Sequence, residues 1–282
     1  MEYTPEELQQ VQKTEMEILE EVLRICKEHR IPYFVIEGTL LGTIRHNGFI
    51  PWDDDIDIGM VREDYQRFLQ AAVSDLRNGF VLQHYTTDRR TPTYHAKIRK
   101  DGTIFMEQYA RRLSIHQGIF IDIMPFDRIP GEEGERIRYR KKAWILKQLY
   151  IAKSVKEASI ERDPEKRKKA AILRHVLHYC LLPVPKGYLY RKYDSWLQKY
   201  NETDSQTVSW AGQKRNENLY TDIFPTREHE FENIRIRIPT NPDPILRRRY
   251  GDYMTPPAPE NRRTHSPYRL QLSTDEPGRE KK

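Results

Sequence analysis

Residues 37–60 read EGTLLGTIRHNGFIPWDDDIDIGM, and the fold turns on how that run divides between loop and strand. Asp53, Asp54, Asp55 and Asp57 place four carboxylates within five residues. From Asp55 onward acid and isoleucine alternate (Asp55, Ile56, Asp57, Ile58), the period of a strand with one face buried. Asp55 and Asp57 then point to one side, while Ile56 and Ile58 anchor the strand in the core. Ahead of it, residues 33–37 predict a short strand. Gly38-Thr39 follows as a turn whose N–H groups and hydroxyl can hold phosphate oxygens. Gly42 and Gly48 let the backbone turn sharply, and Arg45 and His46 are candidate phosphate partners.

Before this run, Thr4, Pro5 and Glu7 spell the start of a helix with a capping box. Leu8, Val11, Ile18, Leu19, Val22, Ile25 and Cys26 give that helix one apolar face. After the run, the spacing predicts a helix over 62–76 and strands over 80–84, 94–99, 103–107 and 119–124. In the last of these Asp122 is the lone acid among Ile119, Phe120, Ile121 and Ile123. Burying it is costly unless a metal, a donor or a proton meets it. Beyond Pro130 the character changes, with helices predicted over 132–159, 164–179 and 186–200. Strands over 208–211 and 234–238 and a helix over 241–250 follow. Past Pro256 the chain is polar and proline-rich. The expectation is one α+β domain over 1–260, a mixed β-sheet with flanking helices and a basic helical insertion at about 132–200, then a disordered tail over 261–282.

Of 282 residues, 37% are hydrophobic and 32% charged, with mean hydropathy −0.84, which suits a thin core with many wet helical faces. No apolar run approaches the roughly 18 residues that cross a bilayer. The polar opening MEYTPEELQQ does not resemble a secretory signal, so a cytoplasmic protein is expected, at most peripheral on the inner face of a membrane. Cys26 and Cys180 are too few for a structural zinc site or a disulfide framework. Charge is unevenly spread: residues 136–192 hold 17 Lys and Arg against 4 acids, which leaves 31 bases and 38 acids elsewhere. A basic segment on an otherwise acidic chain points to an anionic partner, either a polyanionic glycan or an anionic membrane surface, or else to a solvated helical face. The basic residues carry no recognisable nucleic-acid motif, so nucleic acid is not expected as a partner.

Four crowded carboxylates repel one another, and a divalent cation relieves that. Oxygen ligands suit Mg2+ or Mn2+, with Asp55, Asp57 and Asp122 as the candidate ligands. Other readings stand beside this one. A solvated acidic turn accounts for Asp53 and Asp54 but poorly for the alternating strand. A calcium loop starting at Asp53 fails at its sixth and twelfth positions, where Ile58 and Asp64 stand in place of glycine and glutamate. Asp122 can also cap a turn or pair with an arginine. A Gly-Thr turn before the first acidic strand, with a second acidic strand later, is the arrangement of nucleotidyltransferase-fold enzymes.

The run over 37–60 closely resembles the signature of the LicD family of phosphocholine transferases, relatives of the fukutin group. HQGIFIDIMPFD (116–127) looks like that family's second block, and ILRRRYGDYMTPP (245–257) like its C-terminal one. The resemblance implies a nucleotidyltransferase-like fold and a CDP-linked alcohol as donor. It implies Asp55, Asp57 and Asp122 as the catalytic acidic triad and Gly38 and Thr39 in the phosphate turn. Some fukutin relatives carry a zinc-binding cysteine cluster, which this chain lacks. The expected reaction is an in-line displacement onto a hydroxyl of a glycan or lipid-linked glycan, with Arg45, Lys97 and His116 as secondary contacts. Choline calls for an aromatic cage, to which Trp52, Trp210, Tyr94 and Tyr109 are candidates, each equally readable as packing. The rival readings are a nucleotidyltransferase consuming a nucleoside triphosphate and a non-catalytic module binding calcium and a polyanion.

Overall fold

Thr4 caps the first helix as its sequence predicts: its hydroxyl accepts the Glu7 N–H at 3.2 Å, and Glu7 accepts the Thr4 N–H at 2.8 Å. The computed structural model describes residues 3–156, 164–262, 264–273 and 278–280, with the backbone alone for 164–169. After α1 (Pro5–Glu28) come β1 (Phe34–Val35), α2 (Glu37–His46), β2 (Asp57–Val61) and α3 (Arg62–Asp75). Then follow β3 (Phe80–Gln83), β4 (Ala96–Lys100), β5 (Ile104–Met106) and β6 (Phe120–Arg128). Three helices succeed them, α4 (Glu133–Ser154), α5 (Pro164–Cys180) and α6 (Lys186–Leu197). The chain continues through β7 (Thr207–Trp210), β8 (Asn218–Leu219), α7 (Tyr220–Ile223), β9 (Arg227–Phe231), β10 (Ile234–Ile238) and α8 (Pro242–Tyr250). It closes with β11 (Arg269–Gln271) and β12 (Arg279–Glu280).

The main sheet is mixed, as expected of an α+β fold. Its order is β1-β2-β6-β4-β3, with β7 and β8 continuing beside the far end of β6. β2 runs parallel to β6, and the other pairs are antiparallel. The isoleucines of the acidic strands do what their alternation predicts. Ile58, Ile121 and Ile123 are fully buried with Ile18 and Val22 of α1 and Phe68 of α3. Helices α4 and α6 build a separate cluster around Tyr139, Tyr150, Tyr193 and Leu197, with Tyr94 and Ile129 from the sheet side. Arg62 joins the two parts. Its guanidinium bonds the buried Asp127 carboxylate at 2.8 and 2.5 Å, the Tyr94 hydroxyl at 2.9 Å and Asp194 of α6 at 3.3 Å.

Several elements depart from expectation, each for a local reason. Residues 37–46 form a helix, where the sequence reads as the end of a strand followed by a turn. Leu40 and Leu41 bury there, and Gly42 lies so close to the next loop that a Cβ would sit 2.4 Å from the Gly48 carbonyl oxygen. Asp55 precedes β2 rather than lying in it, although the ladder already begins at Ile56, whose carbonyl accepts the Asp122 N–H at 2.9 Å. β5 leaves the main sheet to pair with β11. That pairing corrects the expected disorder beyond 260: Leu270 faces Phe105 across the ladder and both are buried, and the His265 N–H is held by Asp54. Residues 157–159 of the predicted insertion helix lie outside the described residues.

Candidate active site

The pairing of β2 with β6 and of β6 with β4 sets Asp57 beside Asp122 and Asp122 beside Lys97, one row across three adjacent strands. Residues opposite one another in a ladder share a face, so the three side chains converge. Asp122 Oδ1 lies 3.0 Å from Lys97 Nζ and 3.2 Å from His95 Nε2. Lys97 is buried, its ammonium 3.3 Å from the Phe120 ring centroid and 3.6 Å from Glu107.

The N-terminus of α2 borders this row. The Thr39 hydroxyl accepts the Asp57 N–H at 2.8 Å, which fixes the helix start against the strand start. Gly38 has no side chain for a steric reason: a Cβ there would lie 2.5 Å from Asp53 Oδ2. The Asp53 carboxylate is therefore stacked on the first turn of α2, where the helix dipole favours an anion. Glu37, at φ +49, opens the helix and pairs with Arg249 of α8 at 2.5 Å. That contact explains why the two distant motif blocks belong together. Asp54 turns away and anchors: it accepts the Tyr3 hydroxyl at 2.6 Å and the His265 N–H at 2.8 Å, and the His265 ring lies 3.1 Å from it. At 2% exposure, Asp54 is no solvated turn residue.

Electrostatics divide these acids. Burial, then Asp55 and Asp122, push Asp57 well above the ordinary carboxylate range. Burial, then Asp55 and Asp54, raise Asp53, and Asp55 is raised chiefly by its own burial. Glu15 of α1, fully buried behind the cluster, is raised by burial and then by Asp55. Asp122 behaves oppositely: burial alone would raise it, but Lys97 and His95 together outweigh that and hold it low. Among the described residues, Asp57 Oδ1 is buried with no hydrogen-bond partner. An anionic site with an orphaned oxygen fits a cation. Yet among the described residues no three His, Cys, Asp or Glu side chains stand at metal-coordinating spacing, Asp122 leaning instead on Lys97 and His95.

A cavity of about 660 Å³ opens from Asp122 and Lys97 outward between the sheet and the helices α4 and α5. Tyr94, Tyr109 and Trp210 line it and Trp52 does not, so the four aromatic candidates do not share one wall. Their faces are partly taken: Lys147 Nζ lies 5.4 Å from the Trp210 ring centroid and the Arg262 guanidinium 4.3 Å from that of Trp52. Burial, then Arg215, lower the Lys147 ammonium to about 8.

Of the residues singled out in the sequence, the fold gathers Gly38, Thr39, Asp55, Asp57, Asp122 and Lys97. Arg45 and His46 end α2, roughly 10 Å along its axis from Gly38. There Arg45 donates to the Tyr253 carbonyl at 2.6 Å and to His46 at 2.9 Å. His116 pairs with Asp101 at 3.2 Å on a loop that bonds none of these acids. Sequence reasoning missed His95, Glu15, Glu37 and His265. His95 had a signal: it lies two residues from Lys97 on a predicted strand, hence on the same face.

Residues 30–156, which contain this whole row, match the family model described as LicD/FKTN/FKRP, nucleotidyltransferase domain. Over 270 residues the chain is 26% identical to a protein of Haemophilus influenzae named lipopolysaccharide cholinephosphotransferase LicD, covering 89% of this chain and 92% of that one. Over 105 residues it is 29% identical to the mouse ribitol 5-phosphate transferase FKRP, covering 37% of this chain and 19% of that one. Fold, site and relatives together define a transferase of substituted phosphate groups. The chain is similar to the LicD family, by its model over residues 30–156 and by the Haemophilus relative over most of its length.

Proposed function

We propose that this chain moves a phospho-alcohol, with phosphocholine as first candidate, from a CDP-linked donor to a hydroxyl of a cell-surface glycan or glycolipid precursor. The observation that carries the reading is the row Asp57–Asp122–Lys97 with Asp55 leading into it, an anionic pocket edged by a helix N-terminus. Asp55 and Asp57 are the carboxylates that fit Mg2+ or Mn2+, since they are crowded together and Asp57 is buried with an oxygen that has no hydrogen-bond partner. Asp122, beside Asp57 across the ladder, would be the third ligand. When bound, the metal supplies charge neutralisation on the diphosphate and on the departing CMP.

The chain's own groups do the positioning. The first turn of α2, opened by Glu37 and pinned through Thr39, presents its N–H groups toward the phosphates. Lys97 and His95 keep Asp122 ionised, which suits it to coordination better than to proton removal. The acceptor oxygen forms the new bond to phosphorus, and the bond to CMP breaks on the opposite side. The hydroxyl proton passes to a carboxylate of the cluster that the cation leaves free.

One observation supports a second reading of the alcohol. Lys147 holds a face of Trp210 that a quaternary ammonium would use, and with Arg174 it sets two cations on the cavity wall. An uncharged polyol in place of choline, as in the ribitol 5-phosphate named for the FKRP relative, avoids the resulting repulsion. The test is CMP release from CDP-choline and from CDP-ribitol, with and without Mg2+. CMP from either donor supports the transferase reading and the faster one names the alcohol. Pyrophosphate from a nucleoside triphosphate, with no CMP from either donor, overturns it.

A further inference from the structure

Helix α5 turns several large apolar side chains to water. Its outward residues Ile172, Leu173, Val176 and Tyr179 are 66, 60, 53 and 49% exposed, and Leu182, just past its end, is 55% exposed. Ile172, Val176 and Tyr179 recur at helical spacing and share a face. Its inward side carries polar contacts beside the half-buried Ala171 and Leu177: Arg174 bonds Gln148 of α4 at 3.0 Å, and the buried His178 ring lies 2.9 Å from the Ala152 carbonyl. Beside it, Trp144 of α4 is 63% exposed. A contiguous exposed apolar face of this size marks a surface that something covers.

Charge decides what covers it. The face lies within the segment that holds 17 Lys and Arg against 4 acids, so a second copy would set two strongly positive surfaces together. An aliphatic stripe flanked by Trp and Tyr on a basic segment matches the chemistry of an anionic lipid surface, where apolar groups enter the acyl boundary and cations meet the headgroups. The cavity that starts at Asp122 is walled at its outer end by Trp144, Ala170 and Arg174, so the same helices border both the stripe and the mouth. We propose that α5, with Trp144, is a docking face for a membrane rich in anionic lipid, which seats the cavity mouth at the bilayer interface. The inference does not depend on the metal or on the alcohol of the donor.

The test sediments the full chain with vesicles of phosphatidylcholine alone and with vesicles containing about a third phosphatidylglycerol, at physiological salt. The chain is expected to pellet with the anionic vesicles only. The Ile172→Ser/Val176→Ser/Tyr179→Ser variant should lose about tenfold or more of that partitioning while keeping its helical circular dichroism, because the replaced side chains are already exposed. Three outcomes overturn the proposal. Anionic vesicles can leave the wild type in solution. The variant can pellet as well as wild type, which assigns adsorption to charge alone. The substitutions can lower the solution mass of the vesicle-free protein, which assigns the face to contacts between copies.

Discussion

Asp122 and Asp127 sit five residues apart on β6, an odd spacing that sends them to opposite faces of the sheet, and they have opposite fates. Asp127 is fully buried and fully answered: Arg62 grips both of its oxygens, and the Asn201 amide donates a further bond at 2.8 Å. Asp122 joins Asp55, Asp57, Asp53 and Glu15 in a region where acids outnumber their partners. Selection for stability alone favours the first arrangement. A cluster of mutually repelling buried acids is the kind of local cost that functional sites retain.

The sharpest way to break the contrast is to neutralise one acid on each face. Asp57→Asn should cut CMP release by about a thousandfold. Its thermal midpoint should hold or rise, since the substitution relieves repulsion; a fall in midpoint matching the loss of activity would assign Asp57 to structure. Asp127→Ala should do the reverse. It leaves Arg62 buried without its main partner and should cost roughly 3–5 kcal/mol in urea unfolding, with turnover per folded molecule nearly intact. Gly38→Ala sharpens the geometry: its Cβ must displace the Asp53 carboxylate, and a shift near an ångström should lower kcat by about tenfold to a hundredfold. Unchanged kinetics in that variant would remove Asp53 and the α2 turn from the site.

The smallest effect is on pH. Asp53 and Asp55 titrate at about 8 and about 6 in the folded chain against an ordinary 3.8, so the folded state binds more protons across that window. Metal-free protein should therefore lose stability as pH rises from about 4 to 8. His265, raised to about 10 chiefly by its bond to Asp54, acts in the same direction at higher pH: its contribution is complete below 6.5 and lost on passing about 10. Asp122, held low, contributes only above the ordinary carboxylate pKa and is lost below it, outside the window. Thermal midpoints of chelator-treated protein from pH 5 to 8 should fall with rising pH, and saturating Mg2+ should flatten the slope.

Much of this was legible in the sequence because it is local. The capping box at Thr4, the Asp-Ile alternation and the lone Asp122 each follow from neighbours within a few residues. What escaped depends on distant partners. The start of α2 is set by a positive φ at Glu37 and by Arg249, more than two hundred residues later, and its two glycines read as turn signals. The C-terminal segment looks disordered by composition, yet Asp54 holds His265 across 211 residues and β5 supplies the strand that orders β11. β9 (REHEF) buries only its terminal Phe231, so it has no apolar alternation to reveal it, and its pairing comes from β10.

The most direct test is calorimetric titration of Mn2+ into metal-free wild type, Asp57→Asn and Asp127→Asn. The account predicts one site in wild type, lost in Asp57→Asn and kept in Asp127→Asn. Equal Mn2+ binding by wild type and Asp57→Asn, or none by either, would contradict it.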